Sequence, residues 1–285
     1  MFFNFFVSFF RFHFLLKNFC VFLFFVSLSA FSKEKPLWEI GVGAGSVYQP
    51  YYVGTKQSRN VFFPVPIPIY RGDVFKSDDD GVRAEIIKDK RFRLNLSAGF
   101  NLAVDSDEVD LREGLDDIDH QFQIGPTLEL TISKAQGYKW WLNFPLRASV
   151  SIGGNGLDGS GFTVSPSVNF ARDFQVFNTV WTAKTSLEAQ FGTSKYHDIY
   201  YSISEEFASD IRPAFNSGGG YSGSNLLLSF RSNNYKRLWL WFVRYENIDG
   251  AKFDDSPLVE TNYGVSLGLI YSRYLFKSKR TVKRK

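Results

Sequence analysis

From residue 38 onward the chain alternates. Trp38, Ile40, Val42, Ala44 and Tyr48 share one side of an extended backbone, with Glu39, Gly41, Gly43 and Gly45 on the other. The run from Phe92 to Val104 sets Leu94, Leu96, Ala98 and Phe100 against Arg93, Asn95, Ser97 and Gly99. The same pattern recurs at 121–132, 140–152, 162–170 and 181–191. Period two with one apolar face is the signature of a strand that meets an apolar phase on one side only. Further candidates at 61–71, 81–88, 199–204, 225–232, 236–248 and 262–276 bring the expected number to about twelve. No helix-period segment of convincing length follows the first thirty residues.

Several runs are much longer than the five or six residues common in soluble sheets. Their polar faces mix isolated charges with Gly, Ser, Thr and Asn, as a wet lumen would. Aromatics stand near strand ends: Trp38, Tyr48, Trp140, Trp141, Tyr235, Trp239 and Trp241. Such girdles mark the two interfaces of a bilayer. A soluble sandwich is the competing fold, but lipid demands that every sheet edge be satisfied, and closure does so. The expected fold is all-β, a transmembrane antiparallel β-barrel of about 12 strands.

One stretch breaks the pattern. Residues 61–81 read VFFPVPIPIYRGDVFKSDDDG, with prolines at 64, 66 and 68. Backbone groups alternate direction along a strand, so three prolines at period two delete three donors facing one neighbour. Val65, Ile67 and Ile69 keep theirs for the other side. A central soluble-sheet strand rarely accepts that; an edge, a barrel seam or an extended segment resting against a rim does, and the competing reading is a proline-stiffened loop with a solvated charge run.

The first 32 residues are almost wholly Phe, Val and Leu, with Arg11 and Lys17 ahead of an apolar run and Ala30-Phe31-Ser32 as a cleavage site. This reads as a secretory signal peptide. The barrel is expected over 33–276, followed by a basic tail, 277–285, which reads as a solvated end. The only cysteine, Cys20, lies in the leader, so no disulfide or thiolate metal ligand is expected in the mature chain. Net charge is +4 from nearly balanced signs, and the tail supplies six cations, so no nucleic-acid signature is present.

The motifs in order are WEIGVGAGSVYQPYYVGT (38–55), VPIPIYRGDVFKSDDDG (65–81), REGLDDID (112–119) followed by IGPTLEL, FPLRASVS (144–151), YYSIS (200–204), RPAFNSGGGY (212–221) and DDSPLVE (254–260). Together they resemble the MipA/OmpV family of Gram-negative outer-membrane proteins, across nearly all of residues 38–276. That family is named for a scaffold protein that interacts with a lytic transglycosylase. The resemblance implies an exported, non-enzymatic outer-membrane protein bound to lipid, with peptidoglycan hydrolases or synthases in the periplasm as partners. It marks Pro64, Pro66, Pro68, Tyr70, Arg71, Gly72, Asp73, Arg112, Gly114, Asp117, Arg147, Tyr201, Arg212, Pro213, Gly219, Ser256 and Pro257 as candidates for structure or partner contact. One departure concerns the end: Phe276 is out of register with the apolar face Val265, Leu267, Leu269 and Tyr271, and the chain continues past it.

Candidate chemistry is thin. His120 and His197 each adjoin an aspartate, but neighbouring strand residues face opposite ways, which argues against a dyad. The carboxylates at 105, 107, 110, 116, 117 and 119 match no EF-hand spacing and read as a solvated loop, so no metal or cofactor is expected. Arg91, Arg93, Arg147 and Lys184 are expected to point into the lumen with Glu129 and Glu188. Mixed signs there either pair across a closed lumen or line a polar pore. A porin-like channel or uptake protein is therefore the alternative to the scaffold.

Overall fold

The computed structural model describes residues 35–72, 75–78, 81–153, 156–232 and 236–282. The expected signal peptide, and Asp73, Asp79, Asp80 and Tyr235, lie outside the described residues. The strands are β1 (Lys35–Pro36), β2 (Trp38–Pro50), β3 (Ser58–Arg71), β4 (Phe75–Asp78), β5 (Gly81–Lys88), β6 (Phe92–Asn101), β7 (His120–Ala135), β8 (Tyr138–Gly153), β9 (Gly156–Val164), β10 (Ser167–Val176), β11 (Thr179–Gly192), β12 (Gly220–Ser232), β13 (Arg237–Asn247), β14 (Tyr263–Lys277) and β15 (Thr281–Val282). One eight-residue helix, α1 (Ser194–Tyr201), interrupts them.

Each strand from β2 to β14 pairs antiparallel with its neighbours, and β14 closes on β2, with Leu267 opposite Tyr48 and Tyr271 opposite Ala44. The sheet has thirteen strands, of which β9 and β10 lie end to end against β8 and β11. Pro166, which has no N–H, sits at the break between them. The wall therefore has twelve staves. The expected number is right, but its membership differs. Residues 199–204 belong to the end of α1 and the following loop, and the missing stave is the four-residue β4. That segment carries no period-two run of usable length, so nothing in its pattern separated it from a turn.

Alternation sorts the side chains as expected. Ile40, Val42, Tyr48, Val243 and Leu267 stand on the outer surface, exposed as a lipid-facing band is. Trp38, Trp140 and Trp241 also face out, and Trp239 packs on Tyr271 at 4.5 Å. Trp141 is a correction to the girdle: it is buried inside the wall, with Lys139 Nζ 4.5 Å and Lys184 Nζ 5.3 Å from its ring. It shares the face of Asn143 and Arg147, and period two leaves it no other side.

At the end of β14 the register shifts between Tyr274 and Phe276, and Phe276 comes opposite Ile40 on the outer face. A bulge of this kind adds one residue and flips the parity, which resolves the mismatch seen in the sequence. The tail is not simply a solvated end. Through Val282 it folds back: Lys35 and Pro36 pair with Val282 and Thr281, and Leu37 N–H donates to Arg280 O at 2.8 Å.

Strand β3 is the one irregular stave. It pairs with β2 along its whole length. Arg71 N–H donates to Leu37 O, so the odd-numbered residues bond to β2 and the even ones, prolines 64, 66 and 68 among them, turn their backbone edge away. On that edge β4 meets only Tyr70 and Arg71. Among the described residues no strand pairs with 58–69 there. Across the opening, Ala98–Asn101 of β6 pair with β7 alone. The wall thus has a gap, and the proline register forms one lip of it.

Candidate functional site

The two ends of the barrel differ. At the end where Lys35 and Val282 pair the connections are tight, as at 136–137 and 177–178. At the other end lie residues 51–57, 102–119, 193–219 and 248–262, and these pack together into a cap. Tyr52, Val104, Val109, Ile118, Tyr200, Tyr201, Ile248, Ala251 and Phe253 form its buried core. Tyr201 stacks on Phe253 with ring centroids 3.6 Å apart, and Tyr52 meets Tyr201 edge-on. Burying this many rings is the main stabilising term for loops that lack a sheet.

Polar groups then fix the loops to one another. Arg112, only 4% exposed, donates to Ser106 Oγ at 3.2 Å, Tyr200 O at 3.2 Å and Asp116 O at 2.8 Å. Arg212 reaches Leu111 O and Glu113 O at 3.0 and 2.9 Å. Ser256 Oγ donates to Tyr201 O at 2.7 Å, and the Tyr201 hydroxyl to Val53 O at 2.8 Å. Asp117 accepts from Ser106 N–H at 2.8 Å. Burial pushes the phenols of Tyr52, Tyr200 and Tyr201 up, and the Arg112 guanidinium down. Motif residues scattered over the chain, Arg112, Asp117, Tyr201, Arg212 and Ser256, thus meet in one place. Gly114, with φ +77, makes the turn between Arg112 and Asp117 that needs a glycine. Gly219 lies against the start of α1, where a Cβ would press on Ser194 N.

Helix α1 is the floor of the cap. The Tyr196 hydroxyl accepts from Gln123 Nε2 on β7 at 3.1 Å, and that of Tyr200 from Asn101 Nδ2 on β6 at 3.3 Å. Between Tyr196 and Tyr200, His197 is 1% exposed. Its Nδ1 is 2.8 Å from Gly218 O and its Nε2 2.6 Å from Ser222 Oγ. A carbonyl only accepts, so Nδ1 carries the proton and Nε2 accepts from the serine hydroxyl. Burial lowers the His197 pKa below its ordinary value. The Phe253 ring lies 4.8 Å away, which leaves the serine–histidine pair inside packed protein. His120 is spent on Ala103 N–H at 2.9 Å and stacks on Phe100.

Below the cap, the lumen has two unlike walls. On β5 to β8 and β11 it is polar. Arg93 bonds Glu85 at 2.9 Å and Glu129 at 2.8 Å, and Lys139 joins the same Glu129 oxygen at 2.7 Å. Glu188 accepts from Asn225 and Gln190, each at 2.9 Å. Arg147 donates from Nε to Ser97 Oγ at 3.1 Å. Arg93, Arg147, Lys184, Glu129 and Glu188 therefore face inward as expected. Arg91 does not: it is exposed in the turn 89–91, one residue ahead of the start of β6. At the turn end, Arg71 pairs with buried Glu39 at 2.7 Å. Tyr70 and the three prolines face outward, and Gly72 lies against the Tyr70 ring.

The opposite wall carries an apolar band among polar groups such as Ser266, Ser272 and the Arg244–Glu246 pair. Phe63 and Ile270 both lie over Gly45, and Phe242 lies over Gly268. Leu240 stands opposite Ile270 on the same face. Sequence reading missed this wall because β3 is apolar on both faces, and Leu240 and Phe242 belong to the almost unbroken apolar run of β13. It also missed Glu39, Glu85 and Lys139, whose only signal was parity within a strand. Among the described residues no group of three His, Cys, Asp or Glu side chains is placed to hold a metal ion.

A protein-family model described as MltA-interacting protein MipA matches residues 42–274. No curated protein matches. Among solved structures, the outer membrane protease OmpT of Escherichia coli aligns over 87% of this chain and 97% of its own, at 6% identity and a TM-score of 0.26. The family match covers most of the chain: the protein belongs to the MipA family and is an outer-membrane β-barrel of a Gram-negative bacterium.

Proposed function

From membership of this family we propose that the chain is a non-enzymatic scaffold, holding peptidoglycan-remodelling enzymes at the periplasmic end of the barrel. The family's name records an interaction with MltA, and an MltA-like lytic transglycosylase is the first partner to test. The observation that carries the reading is the cap. In outer-membrane barrels the long connections face outside and the short turns face the periplasm. The cap therefore stands over the outer mouth, with Arg112 and the tyrosine cluster bonding four loops together. A barrel stoppered outside suits an anchor better than a diffusion pore. The periplasmic end also presents Phe177 at a turn tip, 94% exposed and at φ +51. An apolar ring in that backbone region is uncommon and is what a docking partner would cover.

The refolded barrel in a planar bilayer is expected to be electrically silent, and to co-elute with a lytic transglycosylase from the same organism. Phe177→Ser is expected to weaken that co-elution without changing heat-modifiable migration. Steady ion-sized openings with no co-elution would overturn the scaffold and favour the porin-like alternative.

A further inference from the structure

We propose that the lumen binds a long-chain carboxylate, with the chain along the apolar wall and the head at Arg147, admitted from the membrane through the gap beside β3. The inference is independent of the scaffold reading. The apolar wall is continuous with the gap: Phe63, Val65 and Ile67 line the lumen on β3 itself, and Leu240, Phe242 and Ile270 extend it. From Val61 to Ile67 a strand runs roughly 20 Å, the length of an extended chain of about sixteen carbons. A purely aqueous lumen has no use for such a wall, since each apolar side chain facing water forgoes the benefit of burial.

The head site follows from charge. Of the other lumenal cations, Arg93 and Lys139 already hold carboxylates at 2.7–2.9 Å, Arg244 is paired with Glu246, and Lys184 lies over the Trp141 ring. Among the described residues no carboxylate lies within ion-pair distance of Arg147, whose one side-chain bond is to the neutral Ser97 Oγ. Its guanidinium crosses β7 over Gly125 to reach β6, and its Nη1 would stand 3.7 Å from a Cβ placed on Gly99. Ser97 pairs with Arg83 of β5, the stave bordering the gap. A guanidinium fork matches a carboxylate in two parallel bonds. One guanidinium at the head site, with Glu188 on the same lumen, favours a monoanion over a phosphate dianion.

The gap supplies the route. Its β3 lip offers the carbonyls of Phe62, Pro64 and Pro66, but the prolines at 64, 66 and 68 offer no N–H. An irregular edge at membrane depth is tolerated where it borders a polar cavity rather than lipid. A lip whose donors are missing at 64, 66 and 68 pairs poorly with another strand, so the gap stays open to a ligand and resists sheet extension.

The test uses the full barrel in lipid nanodiscs, with radiolabelled palmitate and hexadecanol as probes and empty discs subtracted. The expected result is one equivalent of palmitate, held at least tenfold more tightly than the alcohol. Arg147→Met is expected to erase that preference, and Val65→Asn to weaken both probes about tenfold. If Arg147→Met does not reach the heat-modifiable form, Arg147→Lys is read instead and is expected to keep part of the preference. Equal affinity for acid and alcohol, a preference that survives Arg147→Met, or no uptake above empty discs would overturn the site. For the route, Pro64→Cys and Phe100→Cys are bridged by a bis-maleimide; loading from the bilayer should slow at least tenfold, and an unchanged rate would overturn lateral admission.

Discussion

Replacing Arg112 with methionine tests the cap at its centre. The side chain is nearly as long and fits the same space, so packing is kept while three donors are lost. Two of the acceptors, Tyr200 O and Asp116 O, are backbone carbonyls of different loops. Hydrogen bonds from a charged group contribute about 1.5–3 kcal/mol each. Part of that is returned, because the buried guanidinium is held at a desolvation cost visible in its lowered pKa. A net loss of about 3 kcal/mol for local opening is a fair expectation, or roughly a hundredfold in the opening equilibrium. Amide hydrogen exchange reads this directly: residues 105–119 and 200–217 should exchange about a hundred times faster, while β7, β8 and β11 stay protected. Brief openings should also appear in the bilayer recording. If exchange in both loops matches the unmodified protein, Arg112 does not hold the cap, and the account of a bonded stopper fails.

Other expectations are simpler. His197 is a base with a lowered folded pKa, so the cap's stability is full above the ordinary histidine value near 6.5 and falls as pH drops through the lowered one. Protease clipping within 193–219 should therefore rise below about pH 6 and should not in His197→Gln. The groups facing it are Gly218 O, Ser222 Oγ, Tyr196, Phe253 and the adjoining Asp198. Glu129→Gln removes the shared partner of Arg93 and Lys139 and should cost about 3 kcal/mol, read as a lower guanidinium midpoint; no change would mean Glu85 alone suffices. Gly268→Ala drives a Cβ into the Phe242 ring and should destabilise by about 1–3 kcal/mol, recovered in the Phe242→Leu background. Gly43→Ala meets the Tyr271 backbone oxygen instead, and no second substitution should recover it.

The wall was legible because alternation is a local property. Ile40 against Glu39, or Leu96 against Asn95, states which side meets lipid before any partner strand is known. The proline register was legible for the same reason, since the missing donors belong to the residues themselves. The cap was not. Tyr52, Tyr201 and Phe253 come from three separate loops, and nothing within any one of them says that the others bury it. YYSIS looked like a strand because aromatic and β-branched residues favour extended backbone; tertiary burial of Tyr200 and Tyr201 overrides that preference and makes a helix end. The acidic run at 105–119 looked solvated, yet Asp117 caps Ser106 N–H and Asp110 accepts from Gln57. Arg91 failed by one residue, the width of a turn boundary. The two-faced lumen was hidden because an inward apolar residue and an outward one read alike in a strand that is apolar throughout.

The closure of β14 on β2 has a kinetic consequence. Tyr48 and Leu267 meet only after almost the whole chain has been laid down, and contacts so remote in sequence form late and slowly. The bonds that fasten the cap are as remote: Tyr52 to Leu258 and Lys56 to Glu260 span 206 and 204 residues. The stopper therefore cannot mature before the ring is complete. An assembling barrel should pass through a leaky stage with all staves in place and its outer mouth unsealed, and the moment of sealing reports that the first and last staves have found each other.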